Sequence, residues 1–365
     1  MRLVHRLGIS LYPEHSTIER DNAYMELAAK YGFSRIFTCL LSVDKDAEAT
    51  KAEFGAFVAR AHNLGFEVAV DTNETVFERL GATPYDLAPF AEMGVDIVRL
   101  DGHFGDHGDI MITRNRDGLA IEFNASSNLA LDLLIERGAD SRNMVTCHNF
   151  YPEPYSGLSE EVFIERSLKY KGLGLKLAAF VSSQQENTFG PWPVSAGLPT
   201  CEDDRHRPID LQMRHLIATG LVDDILIGNA FASEEELKAM AAVDTSRTTM
   251  RVELEPDVAD VERELVFERD HTNRGDASCY MLRSSWHRGE FRDRSIPVRS
   301  CDKAVFKRGD VLTVNDDMAH YRGEVEVALK DMVNDGTRNL VGHIPAEELF
   351  LLDYIKPEYP FGFVS

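Results

Sequence analysis

An apolar run that ends in a polar cluster and opens a helix-like stretch recurs eight times in the first 230 residues. Leu7–Leu11 runs into Tyr12-Pro13-Glu14, Arg35–Leu41 into Ser42, Phe66–Val70 into Asp71-Thr72-Asn73, and Asp96–Leu100 into Asp101. Ala120–Phe123 then meets Asn124, Met144–Cys147 meets His148-Asn149, Lys176–Phe180 leads to Ser182-Ser183-Gln184, and Asp224–Ile227 meets Gly228-Asn229. Between these runs, apolar residues fall at i, i+3 and i+4, the helix period. The helices are expected over Ala23–Tyr31, Phe54–Leu64, Asn128–Glu136 and Glu160–Lys171, closed by Gly32, Gly65, Gly138 and Gly172. Eight strand–helix units predict a closed (β/α)8 TIM barrel, whose chemistry sits where strands hand over to the following loops. The fourth unit departs from the pattern. Residues 102–120 are glycine-rich with little helical period, so that crossover is expected to be irregular.

Ser233-Glu234-Glu235-Glu236 reads as the capped start of a last barrel helix. After about residue 245 short strand candidates take over: Val252–Glu255, Glu264–Phe267, Ser278–Leu282, Val311–Val314 and Glu324–Leu329. Arg274-Gly275-Asp276, Arg308-Gly309-Asp310 and Asn334-Asp335-Gly336 separate them as turns. The reading is two domains, a barrel over 1–245 and a small all-β module over 246–365.

A net charge of −22 argues against nucleic acid and anionic membrane as partners, but a local Arg/His pocket can still hold an anionic small molecule. Cys39, Cys147, Cys201, Cys279 and Cys301 are scattered and lack CxxC spacing, which fits a reducing, cytoplasmic setting better than a zinc site or disulfide framework. Arg2, His5 and Arg6 interrupt any apolar leader, and no run approaches the ~20 residues of a membrane helix.

The strand-end carboxylates Glu14, Asp71 and Asp101 are the first candidates for chemistry. Asp101 is the sharpest, because Ile-Val-Arg-Leu-Asp puts a charge where a buried strand surfaces; such an Asp also serves as a loop cap. Glu122 lies mid-strand two residues before Asn124, so both face one side, and Glu122 is expected to bond Arg99 inside the barrel. The loop from Cys147 to Ser159 alternates amide and aromatic residues, Asn149 and Tyr151 among them, a mixture suited to sugar hydroxyls and sugar C–H faces. The long loop from Gln184 to Pro208 carries Gly190-Pro191-Trp192-Pro193 and Arg205-His206-Arg207, at a common phosphate position of TIM barrels. His103, Asp106, His107 and Asp109 are metal-ligand types in one loop, without fixed ligand spacing; no metal and no cofactor is expected. Gly-rich nucleotide and G-x-S-x-G nucleophile signatures are absent.

These phrases together resemble a bacterial family, domain of unknown function 871, that includes the 6-phospho-N-acetylmuramidases. The resemblance is carried by Leu7–Glu14, Tyr31–Thr38, Arg99-Leu100-Asp101-Gly102, Asn124-Ala125-Ser126, Asn149–Pro152 with Gly157-Leu158-Ser159, and Gly197–Thr200 with Glu202, His206 and Arg207. In the second domain it runs through Asn273–Asp276, Tyr321–Glu324 and Val341–Ile344. Asp203-Asp204-Arg205 separates Glu202 from His206-Arg207 by more than the usual spacing. The resemblance implies a TIM barrel followed by a cyclophilin-like β-barrel, and cleavage of N-acetylmuramic acid 6-phosphate–N-acetylglucosamine in peptidoglycan recycling. On that reading Asp101, Glu202 and Asp71 supply the catalytic carboxylates. Glu14, Asn124, Asn149, Tyr151, His206, Arg207 and Arg274 bind the phosphorylated amino-sugar disaccharide, with Arg207 on the phosphate. The C-terminal module is expected to close one side of the site in cis or from a second subunit, which would make the protein a homodimer. A phosphosugar lyase or isomerase is the competing enzyme class, although Lys176 at the start of its strand is badly placed for a Schiff base. A non-catalytic carbohydrate-binding protein is the third reading.

Overall fold

The computed structural model describes residues 5–43, 45–192 and 196–365; Arg2 and Pro193 fall outside them. Two compact units, His5–Val243 and Asp244–Ser365, divide the chain.

In the first unit eight parallel strands close into a barrel: β1 (Arg6–Ser10), β2 (Arg35–Cys39), β3 (Glu67–Thr72), β4 (Ile97–Leu100), β5 (Ala120–Asn124), β6 (Met144–Cys147), β7 (Lys176–Val181) and β8 (Asp224–Ile227). The crossovers include α1 (Ile18–Lys30), α2 (Ala47–Asn63), α3 (Glu74–Leu80), α4 (Ala88–Glu92), α5 (Gly105–Ile112), α6 (Leu131–Glu136), α7 (Glu160–Gly172) and α8 (Ile209–Thr219); α9 (Glu234–Ala242) ends the unit. Side-chain oxygens start α1 (Thr17), α2 (Asp46), α3 (Asn73) and α7 (Ser159), and Ser233 with Glu236 forms a full capping box on α9. Gly32 follows α1 at φ +83°, the left-handed turn that lets the chain enter β2.

Two expectations are corrected here. The fourth crossover does contain a helix, α5, whose only fully buried apolar side chain is Ile112, with Ile110 partly buried beside it, too weak a stripe to read past three glycines. Gly172 stays inside α7, and Gly174 takes the left-handed turn at φ +77°.

Strand parity organises the barrel interior. At the N-terminal end it is ionic. Arg35, 2% exposed, donates to Asp224 at 2.6 Å and to buried Glu122, while Arg6 donates to the same Asp224 at 2.6 Å and to Glu67. Glu122 therefore bonds Arg35, not Arg99, although Arg99 is its register neighbour on β4. At the C-terminal end the interior turns apolar, with Tyr12, Phe37, Phe150, Phe180 and Leu226 packed together. The larger apolar cluster lies outside the barrel wall, between strands and helices.

The second unit carries mostly antiparallel sheets. Its elements are β9 (Thr248–Arg251), β10 (Glu253–Leu254), α10 (Asp260–Phe267), β11 (His271–Thr272), β12 (Met281–Ser284), β13 (Val305–Phe306), β14 (Asp310–Val314), β15 (Val325–Ala328), β16 (Met332–Val333), β17 (Arg338–His343) and β18 (Pro360–Val364). A five-stranded sheet runs β10-β17-β14-β15-β12, and β18 pairs antiparallel with β11 and parallel with β9. Glu264–Phe267, expected as a strand, is helical in α10. Buried Glu262 explains it, accepting from the Ala259 backbone, from Thr313 at 2.9 Å and from Asn339 at 3.0 Å, which anchors a helix over the sheet. Among the described residues no helix is long and apolar enough to cross a membrane.

Candidate active site

Alternation along β3, β4 and β5 sends Asp71, Arg99 and Asn124 inward at the C-terminal end of the barrel, and Asp101 follows two residues after Arg99. Asp71 and Arg99 are register neighbours. One Arg99 nitrogen, Nη1, donates to Asp71 and lies 3.9 Å from Asp101; the other, Nη2, donates to the Asn149 side-chain carbonyl. Asn124 donates to Asp101 at 3.3 Å and accepts from the Ser126 backbone at 3.0 Å. Asp71, Arg99, Asp101 and Asn149, with Phe37, Phe150, Phe180 and Trp192, line a cavity of about 80 Å3. Phe37, Phe150 and Phe180 meet edge to face, with centroids 5.2–5.8 Å apart, and Trp192 sits 6.0 Å from Phe150 while 41% exposed.

Burial separates the two carboxylates. Asp71 is 4% exposed, and desolvation pushes its pKa up to about 6 against the opposing pull of Arg99. Asp101 keeps 41% of its side chain in solvent. His148 beneath the cluster is fully buried, its pKa lowered to about 3 by desolvation and by Arg99, so it is neutral. Its Nε2 meets Ser167 at 3.0 Å and its Nδ1 meets Ser126 at 3.2 Å; Ser126 Oγ accepts from the Asn149 backbone at 2.9 Å. The neutral ring thereby fixes the hydroxyl that fixes Asn149.

Glu202, His206, Arg207, Glu14 and Tyr151 are outside the residues that line this cavity. Glu202 belongs to a short turn after β7, outside the residues that line this cavity. Its carboxylate accepts from Arg205 at 2.6 and 2.7 Å and from the backbones of Tyr155 and Gly157 at 2.8 and 2.7 Å. Arg205 first, then those amides, hold its pKa down at about 2, so it is an ionised acceptor, unsuited to donate a proton. Arg205 is buried and also donates to the carbonyls of Tyr151, Glu153 and Ala196 at 2.8, 3.1 and 3.1 Å. His206 is exposed; Arg207 is partly buried and pairs with Asp204 at 2.8 Å. Glu14 accepts from Ser42 at 2.6 Å, and its second oxygen is buried without a hydrogen bond. Tyr151 is partly buried, its phenol pKa raised by desolvation. Arg274 lines a cavity in the second unit. In the Gly102–Asp109 loop, Asp109 accepts from the Phe104 backbone, His107 meets Tyr85 and Asp106 pairs with Arg137.

Sequence reasoning passed over Arg99 as the hub of this cluster. The available signal was a charge in mid-strand, two residues before Asp101, which puts both on one face. Phe37 and Phe180 carried no signal, because both faces of a barrel strand are apolar.

A family profile described as "6-phospho-N-acetylmuramidase, N-terminal" matches residues 7–242, and its C-terminal counterpart matches residues 248–364. Among solved structures, an uncharacterized B. cereus protein shares 41% identity over 100% of both chains, with a TM-score of 0.91. A conserved Enterococcus faecalis protein of unknown function shares 25% identity over 99% of this chain and 96% of its own, with a TM-score of 0.69. No curated protein matches the chain.

Proposed function

Because the chain belongs to the 6-phospho-N-acetylmuramidase family, we propose that it hydrolyses the bond between N-acetylmuramic acid 6-phosphate and N-acetylglucosamine, as a step of peptidoglycan recycling. The observation that carries the reading is the pair Asp71 and Asp101 at one Arg99 nitrogen, one carboxylate buried and the other in solvent contact. Two carboxylates in unlike environments are what glycoside hydrolysis requires.

In this proposal Asp71, held near a pKa of 6, is the general acid. It passes its proton to the glycosidic oxygen as the C1–O bond breaks. The substrate's own acetamido oxygen attacks C1, and Asp101, in solvent contact and steadied by Asn124, accepts a hydrogen bond from the acetamido N–H. Ionised Asp71 then takes a proton from the water that attacks C1. The configuration is retained and no enzyme nucleophile is needed. Phe150 and Trp192 offer apolar faces to the sugar, and Asn149 offers its amide. We assign the phosphate to His206 and Arg207, supported by the Arg207 charge and the solvent access of both side chains in an acidic chain. We place the reaction in the cytoplasm, which the five free cysteines support.

The test is product analysis with the 6-phosphorylated disaccharide and its unphosphorylated form, followed by Asp71→Asn and Asp101→Asn on two substrates. A 6-phosphomuramyl glycoside with a phenolate-type leaving group needs no proton. It should rescue Asp71→Asn and leave Asp101→Asn impaired. Equal loss in both variants on both substrates sinks the division of roles, and no release of N-acetylglucosamine from the phosphorylated disaccharide sinks the function.

A further inference from the structure

The second unit contains a cavity of about 470 Å3 that the reaction proposed for the barrel does not use. Its walls are Asn273, Arg274, Asp276, Ser285, Trp286 and Glu358, with Thr272 and Gly275. Trp286 is 74% exposed, an unusual position for the largest apolar side chain.

The loop that carries Arg274 is pinned from both sides. The Asn273 backbone exchanges hydrogen bonds with the turn before β18, donating to Tyr359 at 3.0 Å and accepting from Glu358 at 2.9 Å. The Arg274 backbone donates to Arg283 at 3.0 Å. Glu358 holds φ +67°, a left-handed conformation rare for a side chain of this length, and such strain gathers where a group must be aimed. Gly275 permits that aim, since a Cβ there would stand 2.9 Å from a Glu358 carboxylate oxygen.

The polar groups form a directed set. Arg274 donates through Nε and Nη2 to the two Asp276 oxygens at 2.6 and 2.9 Å, and through Nη1 to Ser285 at 3.1 Å. A guanidinium has five N–H groups, so one hydrogen on each Nη has no partner among the described residues. The cavity thus combines a flat aromatic face, an oriented pair of N–H donors, and the carboxylate acceptors of Asp276 and Glu358. Its formal charge, one arginine against two carboxylates, is negative, in a chain of net charge −22. That charge disfavours a phosphate dianion.

We propose that this cavity is a second carbohydrate site, which takes a neutral pyranose such as an N-acetylated amino sugar. The ring's C–H face lies on Trp286, neighbouring hydroxyls accept from the Arg274 fork, and hydroxyls or an amide donate to Glu358. The claim is independent of the chemistry assigned to the barrel.

The chain has two tryptophans, Trp192 at the barrel mouth and Trp286 here, so Trp192→Phe makes Trp286 the sole indole reporter. Titration of that full-length variant with N-acetylglucosamine should change the emission saturably, with a Kd on the order of millimolar. Adding Arg274→Gln should weaken binding by about tenfold or more, and N-acetylmuramic acid 6-phosphate should bind this cavity more weakly than N-acetylglucosamine. In the otherwise unaltered chain, Trp286→Ala should leave kcat/KM on the disaccharide within about twofold. A flat titration, an unchanged Kd with Arg274→Gln, or tighter binding of the phosphorylated sugar overturns the proposal. A large loss of kcat/KM in Trp286→Ala also overturns it, because the cavity would then belong to the catalytic site.

Discussion

Removing Arg205 should loosen two loops at once. Its Nε and one Nη2 hydrogen serve Glu202, its other Nη2 hydrogen serves the Glu153 carbonyl, and Nη1 serves the Tyr151 and Ala196 carbonyls. All five guanidinium hydrogens are spent on the loops that follow β6 and β7. Arg205→Ala leaves the carbonyls of Tyr151, Glu153, Ala196 and Gly197 without this donor and Glu202 with only its two backbone amides. Charge-assisted hydrogen bonds contribute about 1.5–3 kcal/mol each, but breaking a buried pair by deleting one partner typically costs about 3–5 kcal/mol in all. The charge left behind on Glu202 is partly exposed and keeps two amides, so we take the lower end, about 3 kcal/mol, which for a domain of this size corresponds to roughly 6–12 °C in Tm. Arg205→Lys keeps the charge but cannot hold the fork, so it should recover less than half. Because Tyr151 and Asn149 ride on the clamped loop, KM for the disaccharide should rise in both variants. The assay is calorimetry with steady-state kinetics, repeated for Glu202→Gln and the double variant. If Arg205→Ala matches the wild type in Tm and KM, the clamp holds nothing. If the two substitutions add independently, the pair is not the unit described here.

Three further outcomes follow from the geometry. With Asp71 as the acid and a pKa of about 6, kcat/KM should fall about tenfold per pH unit above that value; a basic limb that persists unchanged in Asp71→Asn would assign the proton to another group. His215 is buried, and burial alone would lower its pKa, but Asp204 at 2.8 Å and Glu160 at 2.9 Å raise it to about 9. Its raised pKa contributes stability that is complete below about 6.5 and lost as pH climbs through 9, so Tm should drop across that window in the wild type and stay flatter in His215→Gln; parallel Tm–pH curves refute the pairing. Arg207→Ala should raise KM for the phosphorylated disaccharide about 10–150-fold, the range of one charge-assisted contact, and leave the slow unphosphorylated reaction nearly unchanged; equal weakening of both removes Arg207 from phosphate recognition.

The barrel was legible because the strand–polar cluster–helix–glycine phrase depends on local chemistry repeated many times. Where local chemistry was thin, reading failed. Three glycines hid α5, and the four residues Glu264–Phe267 fit a strand until Glu262 tied the segment to the sheet behind it. Within the site, Asp71 and Asp101 stood out as charges at the ends of apolar runs. Partners did not. Arg205 and Arg207 look alike in sequence, yet one is spent on carbonyls up to 54 residues away and the other pairs with a neighbour three residues off. Charge is written in a sequence; the groups that absorb it are decided by closure of the fold.

The floor of the barrel has an evolutionary consequence. Arg35 satisfies Glu122 and Asp224 together, and Arg6 shares Asp224. A lone change at position 35 would strand Glu122 in the interior and leave Asp224 with Arg6 alone, and a lone change at 122 or 224 would unbalance a buried guanidinium. Drift through single substitutions is therefore blocked, although an apolar trio of similar volume would fill the same space. Positions 35, 122 and 224 should vary as a block across relatives, ionic together or apolar together, and a designer who wishes to restabilise this barrel should exchange all three at once.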